Sequence, residues 1–176
     1  MKKTIMLTAL LALAHLPVGA SQFRAFDRTA QVNGSELIVV GNVTATWSEW
    51  SPDHSVIHTH AEIALEEVWK GVSVTDRIVV TTLGGTVDGV SLEIDGAARL
   101  VNGSDVVLFL DEVDGRLMPW GMRFGIYDLV GSGADAFLVG ALPPAVSGAQ
   151  EFVQISIPVE DLRAEVTAAL EKEDVK

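Results

Sequence analysis

The fold is decided by residues 56–69, which read VIHTHAEIALEEVW. One parity of this run carries Ile57, Thr59, Ala61, Ile63 and Leu65. The other parity carries His58, His60, Glu62, Ala64 and Glu66. Because successive side chains of a β-strand point to opposite faces, the alternation predicts one long strand with a buried face and a solvated face. Lys70-Gly71 ends the pattern.

A second long strand is predicted immediately before it, over Leu37–Trp47. This stretch is rich in Val, Ile, Thr and Trp, the residue types that favour strands. At its beginning both parities are apolar, so we expect the strand to be buried on both faces there. The turn Ser51-Pro52-Asp53 separates it from the strand at 56–69.

Most of the remaining chain up to residue 140 has the same character. Further strands are predicted at Arg77–Leu83, Val90–Ile94, Asp105–Leu110, Leu117–Trp120, Gly125–Val130 and Ala136–Val139. Asp114-Gly115 is a tight hairpin signal. Val106 to Phe109 are consecutive and apolar, which predicts a fully buried strand containing Val107 and Phe109.

The tail changes from strand to helix spacing. Val159, Leu162, Val166 and Ala169 recur at steps of three and four residues after Pro158. This predicts an amphipathic α-helix over 158–172, packed on the β domain. Residues 141–157, which include Pro143-Pro144, are expected to be a linker.

The predicted fold class is therefore mainly β, a small closed OB-fold-like barrel over 36–140 with one C-terminal amphipathic α-helix. The long strands and the glycine corners favour a barrel, since an open sheet would leave exposed edges. An immunoglobulin-like sandwich is the alternative, although it favours about seven strands of more even length.

The first 20 residues have the character of a signal peptide. Lys2 and Lys3 precede an apolar stretch, and Val18-Gly19-Ala20 places small residues before a cut at Ser21. We therefore expect a periplasmic or secreted protein with no membrane association after cleavage. Residues 21–35 have few apolar anchors and are expected to form an arm or short helix that moves independently of the barrel.

The composition excludes several classes of function. Acidic residues number 24 against 12 basic ones, a formal net charge of −12 at pH 7, and the basic residues that follow the first 20 residues are scattered singly. Nucleic acids are therefore unsuitable partners. With no cysteine, the chain cannot form a disulfide, a thiolate zinc site or a cysteine nucleophile. It carries no recognised catalytic motif, so no catalytic residue and no cofactor are predicted.

Several segments carry a family resemblance. They are Ile38–Val43, Ala61–Gly71 with its Glu-Val-Trp-Lys-Gly ending, Asp88–Gly96, and Gly103–Leu110. Over roughly 36–129 the chain resembles the netrin-like domain, the OB-fold barrel shared by tissue inhibitors of metalloproteinases and by uncharacterised secreted bacterial proteins. The bacterial members are the closer likeness. The shared positions are hydrophobic residues and glycines, so the resemblance implies a fold more than a function.

The resemblance raises metalloproteinase inhibition as one possible function. The animal inhibitors chelate the catalytic zinc of the protease through an amino-terminal cysteine that disulfides hold in place. This chain would begin with Ser21 after cleavage and has no cysteine. Nothing of the inhibitory site therefore carries over residue by residue.

A candidate metal site lies on the polar parity of the strand at 56–69. His58, His60 and Glu62 recur at steps of two and would share one face, and imidazole with carboxylate suits zinc or copper. His54 could join only by folding back from the preceding turn. The alternative interpretation is an ordinary solvated strand face.

Two tryptophans are candidate partner contacts. Trp47 and Trp50 stand near the turn between the two long strands, within a WSEWS sequence that matches the cytokine-receptor box by coincidence. Exposed indoles at a barrel rim could contact a protein or a glycan. The alternative interpretation is that they cap the core.

Together these observations predict an exported, non-catalytic binding or interaction module whose partner is an unidentified protein or glycan of the envelope. The alternatives are a metalloproteinase inhibitor of netrin-like type and a periplasmic metal-binding protein.

Overall fold

The computed structural model describes residues 28–142 and 152–173. Its two helices are α1 (Arg28–Gly34) and α2 (Val159–Glu173). Its strands are β1 (Leu37–Trp50), β2 (Ile57–Lys70), β3 (Arg77–Leu83), β4 (Gly85–Val87), β5 (Val90–Leu92), β6 (Asp105–Val113), β7 (Arg116–Pro119), β8 (Ile126–Val130), β9 (Phe137–Leu142) and β10 (Val153–Pro158). Short 3-10 turns lie at Met122–Gly125 and Gly133–Asp135.

Five of the strands close into a ring. β1 pairs with β2, β2 with β3, β3 with β7, β7 with β6, and β6 returns to β1. Every pairing is antiparallel except that of β3 with β7, which is parallel through Val80 and Leu117. The predicted mainly β fold with a barrel and a C-terminal helix is confirmed. The hairpin at Asp114-Gly115 is also present, with φ of 51° and 73° at its two residues.

The ring is smaller than the predicted span of 36–140. One edge of β6 pairs with two different strands. Leu110–Val113 pair with β7, and Val106–Leu108 pair with β8. From β8 the sheet continues through β9 to β10, and these three strands are not part of the ring. The strands of the ring therefore all lie between Leu37 and Pro119, and the later strands form an extension.

The predicted linker over 141–157 contains a strand. β10 is paired along its length with β9, from Val153 opposite Leu142 to Pro158 opposite Phe137. Ile155 and Ile157 are half-buried on one face of this strand. The alternating Val153, Ile155 and Ile157 were a strand signal that the proline and glycine content of the segment obscured. Residues 143–151 of the linker lie outside the described residues.

The described residues form two hydrophobic clusters, one on each side of β1 and β6. The barrel core contains Leu37, Val39, Val43, Ala61, Ile63, Val80, Ala98, Leu100, Val106, Leu108, Leu110 and Ile126. The outer cluster contains Val32, Ile38, Val40, Val107, Phe109, Tyr127, Leu138, Leu162, Val166 and Ala169. Both strands are thus apolar on both parities because both of their faces are covered.

Helix α1 is tied to the outer cluster, which corrects the expectation of an independent arm for residues 28–34. Val32 and Gln31 are fully buried. The Gln31 side-chain amide donates to the Phe124 carbonyl at 2.7 Å, and Arg28 Nε donates to Glu165 Oε2 at 3.0 Å. Arg28 also donates to the Tyr127 hydroxyl. Residues 21–27 of the predicted arm lie outside the described residues.

Helix α2 follows directly after Pro158, as its spacing predicts. Its buried side chains are Leu162, Val166 and Ala169, which close the outer cluster from the solvent side. Glu160 and Asp161 lie in its first turn, where negative charge complements the helix dipole. Across residues 28–142 and 152–173, no helix combines the length and the apolar character that a membrane crossing requires.

Candidate binding surface on the β1–β2 hairpin

A β-bulge decides which side chains share the outer face of the barrel. Val43 of β1 lies opposite Ile63, but the next paired residue, Ala45, lies opposite Glu62, so Thr44 is the extra residue. A one-residue shift transfers every later side chain to the other face of the sheet. Trp47 therefore turns outward and lies opposite His60.

Trp47 and His60 form a stacked pair on this face. Their ring centroids are 5.3 Å apart with planes at 28°. Trp47 is 43% exposed, whereas His60 beneath it is only 8% exposed. The expectation that His60 lies on a solvated face is wrong, because the indole covers it.

Both nitrogens of His60 lie close to a polar group. Nδ1 is 3.0 Å from the hydroxyl of Thr81 on β3. Nε2 is 3.2 Å from Glu49 Oε1, within ion-pair range. This approach lacks hydrogen-bond geometry, so Nε2 is a buried nitrogen without a hydrogen-bond partner among the described residues.

His58 lies beside this pair. Its ring centroid is 6.4 Å from that of His60, and its cross-strand partner on β1 is Glu49. Burial lowers the pKa of His58, and the charges of Arg116 and His60 lower it further, while Glu49 and Asp53 act in the opposite direction.

Glu62, the third predicted metal ligand, is engaged elsewhere. Its carboxylate accepts hydrogen bonds from Thr44 Oγ1 at 2.7 Å and from Arg77 Nη1. These bonds lower the pKa of Glu62, that from Thr44 most strongly. Among the described residues no group of three or more His, Asp or Glu side chains could hold a metal ion. The face predicted from alternation exists, but its three side chains do not converge on one point.

Trp50, the second candidate contact, is half-buried beside the turn that joins β1 to β2. Its ring stacks on His54 with centroids 5.8 Å apart. Asp53 orders this turn by accepting hydrogen bonds from the hydroxyls of Ser51 and Ser55, which lower the pKa of Asp53 to about 2. His54 thus stacks on Trp50 and does not fold back towards the other histidines.

The two remaining tryptophans belong to the outer cluster. Trp69 and Trp120 are half-buried and pack against it. Trp69 Nε1 donates to Glu67 Oε2 at 2.9 Å, and Arg163 of α2 donates to the same oxygen at 2.6 Å. Lys70 Nζ donates to the Val32 carbonyl near the end of α1 at 2.8 Å. The Glu-Val-Trp-Lys-Gly element therefore holds both helices on the barrel.

A groove of about 1230 Å³ lies on the opposite side of the same hairpin, between the barrel strands and residues 93–102. No local pattern in the sequence predicts this groove. Its wall includes Thr46, Ser48, Thr59 and Thr82. The hydroxyls of Ser48 and Thr59 are 2.8 Å apart, and Thr59 also donates to the Gly84 carbonyl at 2.7 Å. These hydroxyls satisfy one another within the wall.

No protein-family model matches the chain, and no curated protein matches it. An OB-like barrel supports many unrelated functions, so function has to be argued from the surface itself. The arrangement of Trp47, His60, Glu49 and Thr81 is the most distinctive feature of that surface. Of these residues, Glu49 and Thr81 were not singled out from the sequence, because their proximity depends on strand pairing.

Proposed function

We propose that this protein is an exported, non-catalytic binding module that contacts an envelope protein or glycan through the outer face of the β1–β2 hairpin. The observation that carries the proposal is the exposed indole of Trp47, stacked on the buried ring of His60. Of the four tryptophans, Trp47 alone is among the exposed large hydrophobic residues.

The support is physical. An indole fixed on a paired strand loses little conformational entropy on binding and offers a large apolar area, which is why tryptophan is enriched at binding hot spots. Trp47 lies in β1 opposite His60, so ladder hydrogen bonds and ring stacking both limit its movement. Such a side chain is a suitable anchor for a partner.

The same residues argue against catalysis at this point. Thr81, His60 and Glu49 follow the order hydroxyl, imidazole, carboxylate that nucleophilic enzymes use. A nucleophile must meet its substrate, however, and Thr81 is only 3% exposed beneath the strand surface. We therefore propose that these three residues, Thr81, His60 and Glu49, hold Trp47 in place.

The alternatives receive no comparable support. The inhibitor hypothesis depends on Ser21, which lies outside the described residues. The metal hypothesis depends on side chains that the described structure keeps apart.

The proposal is tested by retention of a partner from the native envelope fraction on immobilised protein. We expect the wild type to retain one component. The amount retained by Trp47→Ala should be at least tenfold lower. Val72→Ala is the matched control, since Val72 is an exposed apolar residue in the β2–β3 connection. Equal retention by wild type and Trp47→Ala would contradict the proposed surface.

A further inference from the structure

We propose that the groove between the barrel strands and residues 93–102 is a second binding site, which takes a hydroxylated organic anion through Arg123. The guanidinium of Arg123 donates hydrogen bonds to the carboxylate or phosphate group of the ligand. Oxygen atoms that line the rest of the groove accept hydrogen bonds from the hydroxyls of the ligand. This site lies on the other side of the β1–β2 hairpin from Trp47 and does not depend on the proposed function.

The charged end of Arg123 is held in one place beside the groove. Arg123 lies in the 3-10 turn Met122–Gly125, and its backbone N–H donates to the Gly96 carbonyl at 3.3 Å. Its guanidinium lies over the Phe152 ring, 4.2 Å from the ring centre, and that ring packs against Phe124 with centroids 5.7 Å apart. Nε of Arg123 is buried. A ligand therefore reaches the guanidinium at its two terminal nitrogens.

The positive charge of Arg123 differs from that of two other stacked arginines because it has no carboxylate partner. Arg28 lies over an aromatic ring and pairs with Glu165 at 3.0 Å. Arg163 also lies over an aromatic ring and pairs with Glu67 at 2.6 Å. Within the described part of the chain, Arg123 forms neither an ion pair nor a side-chain hydrogen bond. Since a partly buried charge is ordinarily paired, and a guanidinium matches the geometry of a carboxylate or phosphate, this position suits an anionic group from outside the chain.

Much of the groove surface beyond Arg123 offers hydrogen-bond acceptors. Glu93 and Asp95 line the groove as exposed residues. On the strand wall, the Thr59 hydroxyl donates to the Gly84 carbonyl, so the hydrogen in its 2.8 Å contact with Ser48 comes from Ser48. The Ser48 oxygen then keeps its acceptor capacity. Acceptors require donors on the ligand, which hydroxyls supply, and the two carboxylates disfavour a ligand with several anionic groups.

The strand wall favours a small hydroxylated ligand over a peptide strand. This wall is a face of β1, β2 and β3, whose backbone groups pair with one another within the sheet. A peptide that adds to a sheet requires a free edge with unpaired backbone groups. A ligand in this groove therefore meets side chains, and the volume of about 1230 Å³ is sufficient for a small molecule.

The experiment follows the arginine Nε–H cross-peaks of ¹⁵N-labelled protein at constant pH. Arg123 and Arg163 are suitable reporters, since Nε of each is buried from water, and each peak is assigned by its loss in the corresponding Arg→Gln variant. The probes are two matched pairs: gluconate with acetate, and glycerophosphate with inorganic phosphate. We expect the Arg123 peak to move saturably with the hydroxylated member of at least one pair. The Arg163 peak should not move, because Glu67 already occupies its guanidinium.

Affinities are measured from the backbone amide peak of Gly96, which lines the groove and remains visible in every variant. The hydroxylated member of a pair should bind about tenfold more tightly than its partner, and that pair identifies the anionic group. Arg123→Gln should weaken binding about tenfold, since it removes charge-assisted hydrogen bonds. Arg116→Gln, which changes an exposed arginine that does not line the groove, is the matched control and should bind as the wild type does.

Three results would overturn the proposal. The first is an Arg123 peak that none of the four probes moves. The second is equal affinity within both pairs, which would indicate an adventitious ion only. The third is wild-type affinity in Arg123→Gln whose Arg163 peak shows that it is folded, or a larger loss in Arg99→Gln, which changes the exposed arginine of the same groove.

Discussion

At the scale of single residues, successive side chains of β6 alternate between the two hydrophobic clusters. Val106, Leu108 and Leu110 point into the barrel, and Val107 and Phe109 point into the outer cluster. The predicted burial of Val107 and Phe109 is confirmed, since neither has exposed surface. The Phe109 ring meets Tyr127 edge-on, with centroids 5.6 Å apart. Phe109 therefore packs in the outer cluster and not in the barrel interior.

Phe109→Ala should destabilise the protein by about 3–5 kcal/mol, because it removes a fully buried aromatic ring and leaves a cavity. Chemical denaturation of the variant and the wild type measures the difference. Val113→Ala, at an exposed end of the same strand, is the matched control and should change stability by less than about 0.5 kcal/mol. A change below about 1 kcal/mol for Phe109→Ala would contradict its place in the outer cluster.

At the scale of elements, the junction between β2 and α2 depends on Glu67. Its carboxylate accepts hydrogen bonds from Trp69 on its own strand and from Arg163 on the helix, and the Arg163 guanidinium lies 5.2 Å from the Trp69 ring centre. These bonds lower the pKa of Glu67, that from Trp69 most strongly, against the opposing effect of burial. One carboxylate thus joins a strand of the barrel to the covering helix.

Because the pKa of Glu67 is lowered on folding, the ionised carboxylate stabilises the folded protein at pH values above the usual carboxyl pKa of 4.5. This stabilisation is lost as the pH falls through the pKa of the folded state. Wild-type protein should therefore lose more stability between pH 6 and pH 3.5 than Glu67→Gln does. The difference should be about 1 kcal/mol or less, since the group is half exposed and solvent screens it. Denaturation at the two pH values measures it. Identical losses in both proteins would show that this junction contributes nothing.

At the scale of the whole molecule, β1 and β6 are shared by two cores. The barrel closes on one side of them, and α1, α2 and the β8–β10 extension cover the other. Removing the cover would expose the outer faces of two central strands to water. The barrel and its cover are therefore expected to unfold together.

Truncation after Pro158 should accordingly unfold or loosen the entire protein. Burial of Leu162, Val166 and Ala169 contributes about 4 kcal/mol or more, a large part of the 5–15 kcal/mol typical of a domain. The measurements are circular dichroism and binding of a hydrophobic dye. Ala168→Gly, on the exposed face of α2, is the control for helix propensity alone and should cost about 1 kcal/mol. A truncated chain that melts cooperatively at the wild-type temperature would refute the shared-core interpretation.

Local pattern alone determined much of the architecture. The period of two predicted β1 and β2, the glycine signal predicted the β6–β7 hairpin, and the steps of three and four predicted α2. These succeed because alternation and helical spacing are properties of neighbouring residues. The apolar character of both parities of β1 and β6 indicated that each strand is covered on both sides, but not which layer covers which side.

The tertiary structure decided the rest, because the contacts concerned join residues far apart in the chain. Arg28 reaches Glu165, and Thr81 reaches His60, only after the sheet and the helices have assembled. Alternation placed His60 on a solvated face, and the bulge at Thr44 buried it by turning Trp47 over it. A single extra residue in one strand is not visible in the periodicity of the sequence. It nevertheless moves the side chain of every later residue in that strand to the other face of the sheet.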